Sequence, residues 1–220
     1  MNADLRHIDT WLFDLDNTLY PIDSGLGALM EPHITQFVME TTGLSWEDSY
    51  ALQKRYLLDH GLTLRGLMLH HGVDPDQYHA RFHEVPLGGV AVDERLRTGL
   101  SRLPGRRLIF TNADDVHAAR VLEHLGVVDL FEDVFHIASA AFEPKPSPRA
   151  FERILAAHAI EPAKTAFFED AERNLAPAAA LGMTTVLVGP HAAQSTAPFV
   201  HYRTDHLAPF LASAHVKETP

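Results

Sequence analysis

The chain has no cysteine. That excludes disulfides and thiolate chemistry, and it fits a reducing compartment. Positive charge is also scarce, with 18 Lys and Arg against 29 Asp and Glu for a net charge of −11 with histidine neutral. An acidic surface repels phosphate backbones, so neither a nucleic-acid polymer nor an anionic membrane is an expected partner. A small anionic ligand stays compatible, because a local patch or a metal ion can reverse the sign where it matters. No uninterrupted apolar run approaches the length of a membrane-spanning helix. No charged segment leads into an apolar one at the start, so no signal peptide is expected and a soluble cytoplasmic protein is the default.

What is present is a chain of 220 residues, 46% of them hydrophobic, enough for one sizeable core or a core with a small accessory domain. The 15 histidines are scattered. The adjacent pair His70 and His71 does not put two ligands on one helical face as an i, i+4 pair would, so most read as surface residues.

Four β-rich runs stand out: Thr10–Asp14, Arg107–Thr111, Thr165–Glu169 and Thr184–Val188. Asp133–Ile137 and Phe199–Tyr202 are weaker fifth and sixth candidates. Nearly continuous apolar character is what strands covered on both faces require. Helical patterns lie between them. One is capped by Asp114 or Asp115, carries Val116, Ala119, Val121, Leu122 and Leu125, and stops at Gly126. A second follows Ser147-Pro148 through Phe151, Ile154, Leu155 and His158. A third runs from about Asn174 to Leu181. Strands alternating with helices predict an α/β fold with a doubly wound parallel sheet.

From about Pro21 to Ala91 the alternation stops. Apolar residues there fall at helical spacings (Ile34, Phe37, Val38; Leu52, Tyr56; Leu64, Leu67, Met68), with turn signals at Thr42-Gly43, Asp74-Pro75 and Pro86–Gly89. The expected division is a core of residues 1–20 and 92–220 with an inserted helical unit, 21–91. The last residues, ending Lys217-Glu-Thr-Pro220, are expected to fray.

Chemistry-bearing residues cluster after the strands. Asp14 and Asp16, in Phe13-Asp-Leu-Asp-Asn-Thr18, follow the first; Thr111-Asn112 end the second; Lys145 precedes the Ser147-Pro148 helix; Glu169-Asp170 end a later strand. Singly, each reads as a loop, a cap or a solvated turn. Together they lie where an open parallel sheet binds its ligands, at the carboxyl ends of its strands.

In that order, Asp14-Leu-Asp-Asn-Thr18, Thr111-Asn112, Lys145-Pro146 and Glu169-Asp170 resemble the four motifs of the haloacid dehalogenase superfamily. The helical insert corresponds to that superfamily's cap. Leu19-Tyr20-Pro21, Tyr56–Met68, His71–Pro75 and Pro86-Leu87 are similar to the pyrimidine 5′-nucleotidase branch. The resemblance implies a phosphomonoester hydrolase working through an aspartyl-phosphate on Asp14, with Mg²⁺ held by Asp14, Asp170 and the main-chain carbonyl of Asp16. Hard oxygen ligands suit magnesium. Asp16 is the implied general acid and base, and the second aspartate separates phosphatases from dehalogenases. Lys145 is expected to place a positive charge on the phosphoryl group, and Thr111 with the backbone around Asn112 and Ala113 to donate to its oxygens.

Glu169 stands where the branch commonly has aspartate, and is expected to act as an acceptor behind the metal ligands or through water. Asn174 either orients that shell or caps its helix. In the insert, Arg65 either reaches the substrate or makes an ion pair within the cap. Tyr56, His70 and His71 either stack on a base or serve packing and surface. The expected substrate is a pyrimidine nucleoside 5′-monophosphate. A sugar phosphate or phosphoglycolate, a mutase reaction and a non-catalytic binding module are the alternatives. Oligomeric state is not legible.

Overall fold

The computed structural model describes residues 3–217; the expected fraying at residues 218–220 lies outside them. Six parallel strands form one sheet in the order β3-β2-β1-β4-β5-β6. They are β1 Thr10–Phe13, β2 Arg106–Phe110, β3 Asp133–Phe135, β4 Thr165–Glu169, β5 Thr184–Val188 and β6 Tyr202–Thr204. The helices are α1 Leu26–Thr42, α2 Trp46–His60, α3 Thr63–His71, α4 Pro75–His79, α5 Glu94–Ser101, α6 Asp115–His124, α7 Pro148–His158, α8 Glu172–Ala180 and α9 Leu207–Ser213.

Alternation along the strands separates two apolar layers. Trp11, Phe13, Ile109, Phe168, Val186 and Val188 point to one face, where Leu96, Leu100, Val121, Leu122, Leu207 and Leu211 of α5, α6 and α9 cover them. Leu12, Leu108, Phe110, Phe167 and Leu187 point to the other, under Ala150, Phe151 and Ile154 of α7 and Leu175 and Ala178 of α8. The fold is therefore a doubly wound α/β sheet. The register pairs Leu12 with both Leu108 and Phe167, which brings the carboxyl ends of β2, β1 and β4 together at the centre.

Helices α1 to α4 enclose a separate core of Phe37, Val38, Leu52, Tyr56, Leu64, Leu67, Tyr78 and Phe82. Close approach of α2 and α3 depends on Gly66, where a Cβ would lie 2.3 Å from the Tyr56 Cγ. Among the described residues no helix is long and apolar enough to cross a membrane.

Three expectations need correction. The sixth strand is Tyr202–Thr204 rather than Phe199–Tyr202, because Phe199 and Val200 pack into the apolar layer beneath α7 and α8 instead of joining the ladder. Helix α8 starts at Glu172, not near Asn174, and the N–H of Ala171 before it donates to Glu169 Oε1 at 3.1 Å. The buried face of α6 is His117, Ala118, Val121 and Leu122, while Val116 is exposed. Asp114 is the cap, accepting from the His117 N–H at 2.9 Å, and that start turns the helix so that position 117 faces inward.

Candidate active site

Strand β1 ends at Phe13 and delivers Asp14 between the ends of β2 and β4, where the sheet order reverses about β1. Thr111 follows β2, Glu169 closes β4 and Asp170 follows it. Lys145 arrives from the loop between β3 and α7. Asn112 fixes that loop: its Oδ1 accepts from the Lys145 N–H at 2.9 Å, and its Nδ2 donates to the Lys145 carbonyl at 3.3 Å. Four separated stretches thus meet in one place.

The Lys145 ammonium is 1% exposed and donates three times: to Asp14 Oδ1 at 2.7 Å, Glu169 Oε2 at 2.8 Å and the Phe110 carbonyl at 2.7 Å. An ammonium has three N–H bonds, so all are used. Burial works against this charge, yet the attraction of Asp14 and Glu169 raises its pKa above the ordinary lysine value. Glu169, left open by the sequence, is thereby assigned a partner. Asp14 Oδ2 accepts from the Thr18 hydroxyl at 3.1 Å.

Asp16 is held differently. Its Oδ1 accepts from the Tyr20 hydroxyl at 2.5 Å and lies 2.8 Å from His117 Nε2. Burial alone would raise the Asp16 carboxyl, but the charge and hydrogen bond of His117, then the Tyr20 hydroxyl, hold it below the usual range. His117 answers in kind: burial disfavours its cation, and Asp16 raises its pKa above the usual value.

One carboxylate oxygen from each of Asp14, Glu169 and Asp170 lies within 4.8 Å of the others. Burial, then the charge of Glu169, pushes the Asp14 carboxyl up to about 7. Burial, then the charges of Asp14 and Glu169, pushes Asp170 up to about 9. Carboxylates crowded this way in a dry place stay ionised only beside further positive charge. All the donors are hard oxygens, which suits Mg²⁺ rather than a soft metal. One turn past Asp170, the Asn174 side chain is 6% exposed and its Oδ1 has no hydrogen-bond partner. Asn174 does not cap its helix, since Ala171 occupies that position without a side-chain bond. The site fits a divalent cation.

Other sequence candidates are engaged elsewhere. The Ala113 N–H donates to the Thr111 hydroxyl at 3.0 Å. Arg65 donates to Glu143 Oε1 at 2.9 Å, so its ion pair runs from the helical unit to the loop before Lys145 rather than within the insert. Tyr56 stacks on His70 and lies 2.9 Å from His71 Nε2, apart from the carboxylates. Thr18 and Tyr20 stand inside the quoted motifs but were given no role there, and His117 was not singled out. The first two sit four residues after Asp14 and Asp16, a signal available in the motif itself.

Comparison with known proteins bears on the family and the fold. A family model described as hydrolase, haloacid dehalogenase-like hydrolase, matches residues 8–182. Phosphate metabolism protein 8 of Saccharomyces cerevisiae is 28% identical over 193 residues, covering 80% of this chain. The chain spans 60% of that relative's length. Among solved structures, CbbY from Rhodobacter sphaeroides, in complex with phosphate, has a TM-score of 0.66 at 19% identity, over 91% of this chain and 95% of its own. A HAD phosphatase from Thermococcus onnurineus has a TM-score of 0.62 at 17% identity, over 94% and 99%. These two share the fold.

Proposed function

The chain belongs to the haloacid dehalogenase-like hydrolases, and from that premise we propose that it is a Mg²⁺-dependent phosphatase with Asp14 as nucleophile. The observation that carries the proposal is a second carboxylate, Asp16, held beside the first by two donors of its own. Ester hydrolysis through a covalent intermediate needs a nucleophile and, separately, a group that gives and takes a proton.

In the first step an Asp14 carboxylate oxygen bonds to phosphorus as the ester P–O bond breaks. The leaving alkoxide takes a proton from Asp16. In the second step Asp16 removes a proton from water, whose oxygen bonds to phosphorus as the Asp14–phosphorus bond breaks. Lys145 and Thr18 hold the two Asp14 oxygens in place, and Lys145 also neutralises Glu169. The Thr111 hydroxyl and the main-chain N–H of Asn112 are the donors assigned to the phosphoryl oxygens, while the Ala113 N–H holds the Thr111 oxygen. Asp14, Asp170 and the Asp16 carbonyl would hold Mg²⁺, which when bound would supply the positive charge that lets one anion approach another.

The helical unit, residues 21–91, is proposed as a cap over a core of 1–20 and 92–220. Two contacts to the Lys145 loop support this: the Arg65–Glu143 ion pair, and Gly61, where a Cβ would lie 3.1 Å from both the Lys145 carbonyl and Pro144 Cγ. The proposed substrate is a pyrimidine nucleoside 5′-monophosphate, supported by the likeness of Leu19–Pro21, Tyr56–Met68, His71–Pro75 and Pro86-Leu87 to that branch. The name of the yeast relative fits phosphate chemistry of some kind.

Purified protein is expected to release phosphate from UMP or CMP with Mg²⁺, and to stop in chelator and in Asp14→Asn. A panel adding AMP, sugar phosphates and phosphoglycolate, ranked by kcat/KM, tests the substrate class. Full turnover by Asp14→Ala would refute the nucleophile.

A further inference from the structure

We propose that Tyr20 and His117 are positioning residues that act jointly through Asp16, directing its exchangeable proton to the carboxylate oxygen they leave free, Oδ2. The proposal rests on the reading of Asp16 as general acid and base. Both contacts end on the same atom, Asp16 Oδ1, at 2.5 Å from the Tyr20 hydroxyl and 2.8 Å from His117 Nε2. An ionised carboxylate only accepts, so His117 must carry its hydrogen on Nε2 to make this contact. With two donors aimed at Oδ1, an added proton has no place there and resides on Oδ2. The acid is thereby presented from one oxygen in one orientation, which is worth more to a proton transfer than the same group free to rotate.

The scaffolding points the same way. Tyr20 is 3% exposed and four residues beyond Asp16, directly after the turn that closes through Leu19 N–H to the Leu15 carbonyl at 3.0 Å. His117 is 2% exposed and occupies the third position of α6, where its own backbone N–H is tied to the Asp114 cap. Asp114 Oδ1 is in turn 3.3 Å from His83 Nε2, on the segment that returns from the helical unit. A buried histidine used only for packing has no need to reach a carboxylate 101 positions away in the chain.

A leaving-group comparison separates positioning from mere support. An alkyl phosphate such as UMP needs its leaving oxygen protonated, whereas p-nitrophenyl phosphate expels a stable phenolate without help. The value of kcat/KM reports the ester-cleaving half of the reaction. In His117→Leu the ratio of kcat/KM for UMP over p-nitrophenyl phosphate is expected to fall on the order of tenfold or more, a part of what a general acid contributes. His117→Gln, which keeps an N–H near the same place, is expected to recover most of that ratio. Tyr20→Phe removes one oxygen and should also lower it, and this variant carries the test should His117→Leu not fold. Equal losses on both esters, or none, in the folded variants would overturn the proposal while leaving the phosphatase reading intact. Wild-type protein that cleaves no phosphomonoester with Mg²⁺ would overturn both.

Discussion

Lys145 shows how much of the site hangs on single side chains. A buried ammonium between two carboxylates is stable because each charge is answered, and removing one partner leaves the others in a dry place without compensation. Lys145→Met is therefore expected to cost about 3–5 kcal/mol in a urea titration of metal-free protein at pH 8, and to abolish turnover. Arginine is not expected to rescue it, since a planar fork cannot direct three bonds onto Asp14, Glu169 and the Phe110 carbonyl from one nitrogen. Asp14, Lys145 and Asp170 were legible only as a set, since singly each reads as a loop or a turn and their joint placement at the strand ends marks them. His117 was not legible. Its helix reads with Val116 and Ala119 inward, and only the Asp114 cap sets the rotation that buries 117.

At the scale of elements, the central strands were legible because they are buried on both faces and read as apolar runs. The edge strand β6 is half-buried throughout, so no such run marks it, and the neighbouring Phe199-Val200 drew the assignment three residues early. Helices α5 and α9 escaped notice because each is short. They are a pair, with Gly99 of α5 set against Leu211 of α9 so closely that a Cβ would meet Leu211 Cβ at 2.9 Å. Gly66 offers a cleaner test of such contacts. Replacing a helical glycine by alanine gains about 1 kcal/mol of propensity, but here the new carbon would lie 2.3 Å from the Tyr56 ring. Overpacking of that kind costs about 1–3 kcal/mol and wins. Gly66→Ala is expected to lower the urea midpoint; a raised midpoint would mean that α2 and α3 separate without penalty.

The whole molecule carries the electrostatic consequence. Unfolded, Asp14 and Asp170 ionise near 3.9; folded and metal-free, they are pushed up to about 7 and about 9. Between those limits the folded state holds more protons than the unfolded one, so its stability falls as pH rises. Thermal melts in chelator are expected to show Tm dropping from pH 6 to pH 9. Mg²⁺ should raise Tm most at the alkaline end and flatten the slope, because it replaces the missing protons. A Tm indifferent to Mg²⁺ at pH 9 would mean that these carboxylates do not hold the cation.

The covalent step itself can be read directly. Protein mixed with a phosphomonoester labelled in its phosphoryl group, quenched in acid within the first turnover and digested, should carry label on the peptide containing Asp14, released by hydroxylamine as an acyl phosphate is. Label on another residue, or steady turnover with no labelled protein at any time, would contradict the assignment of Asp14.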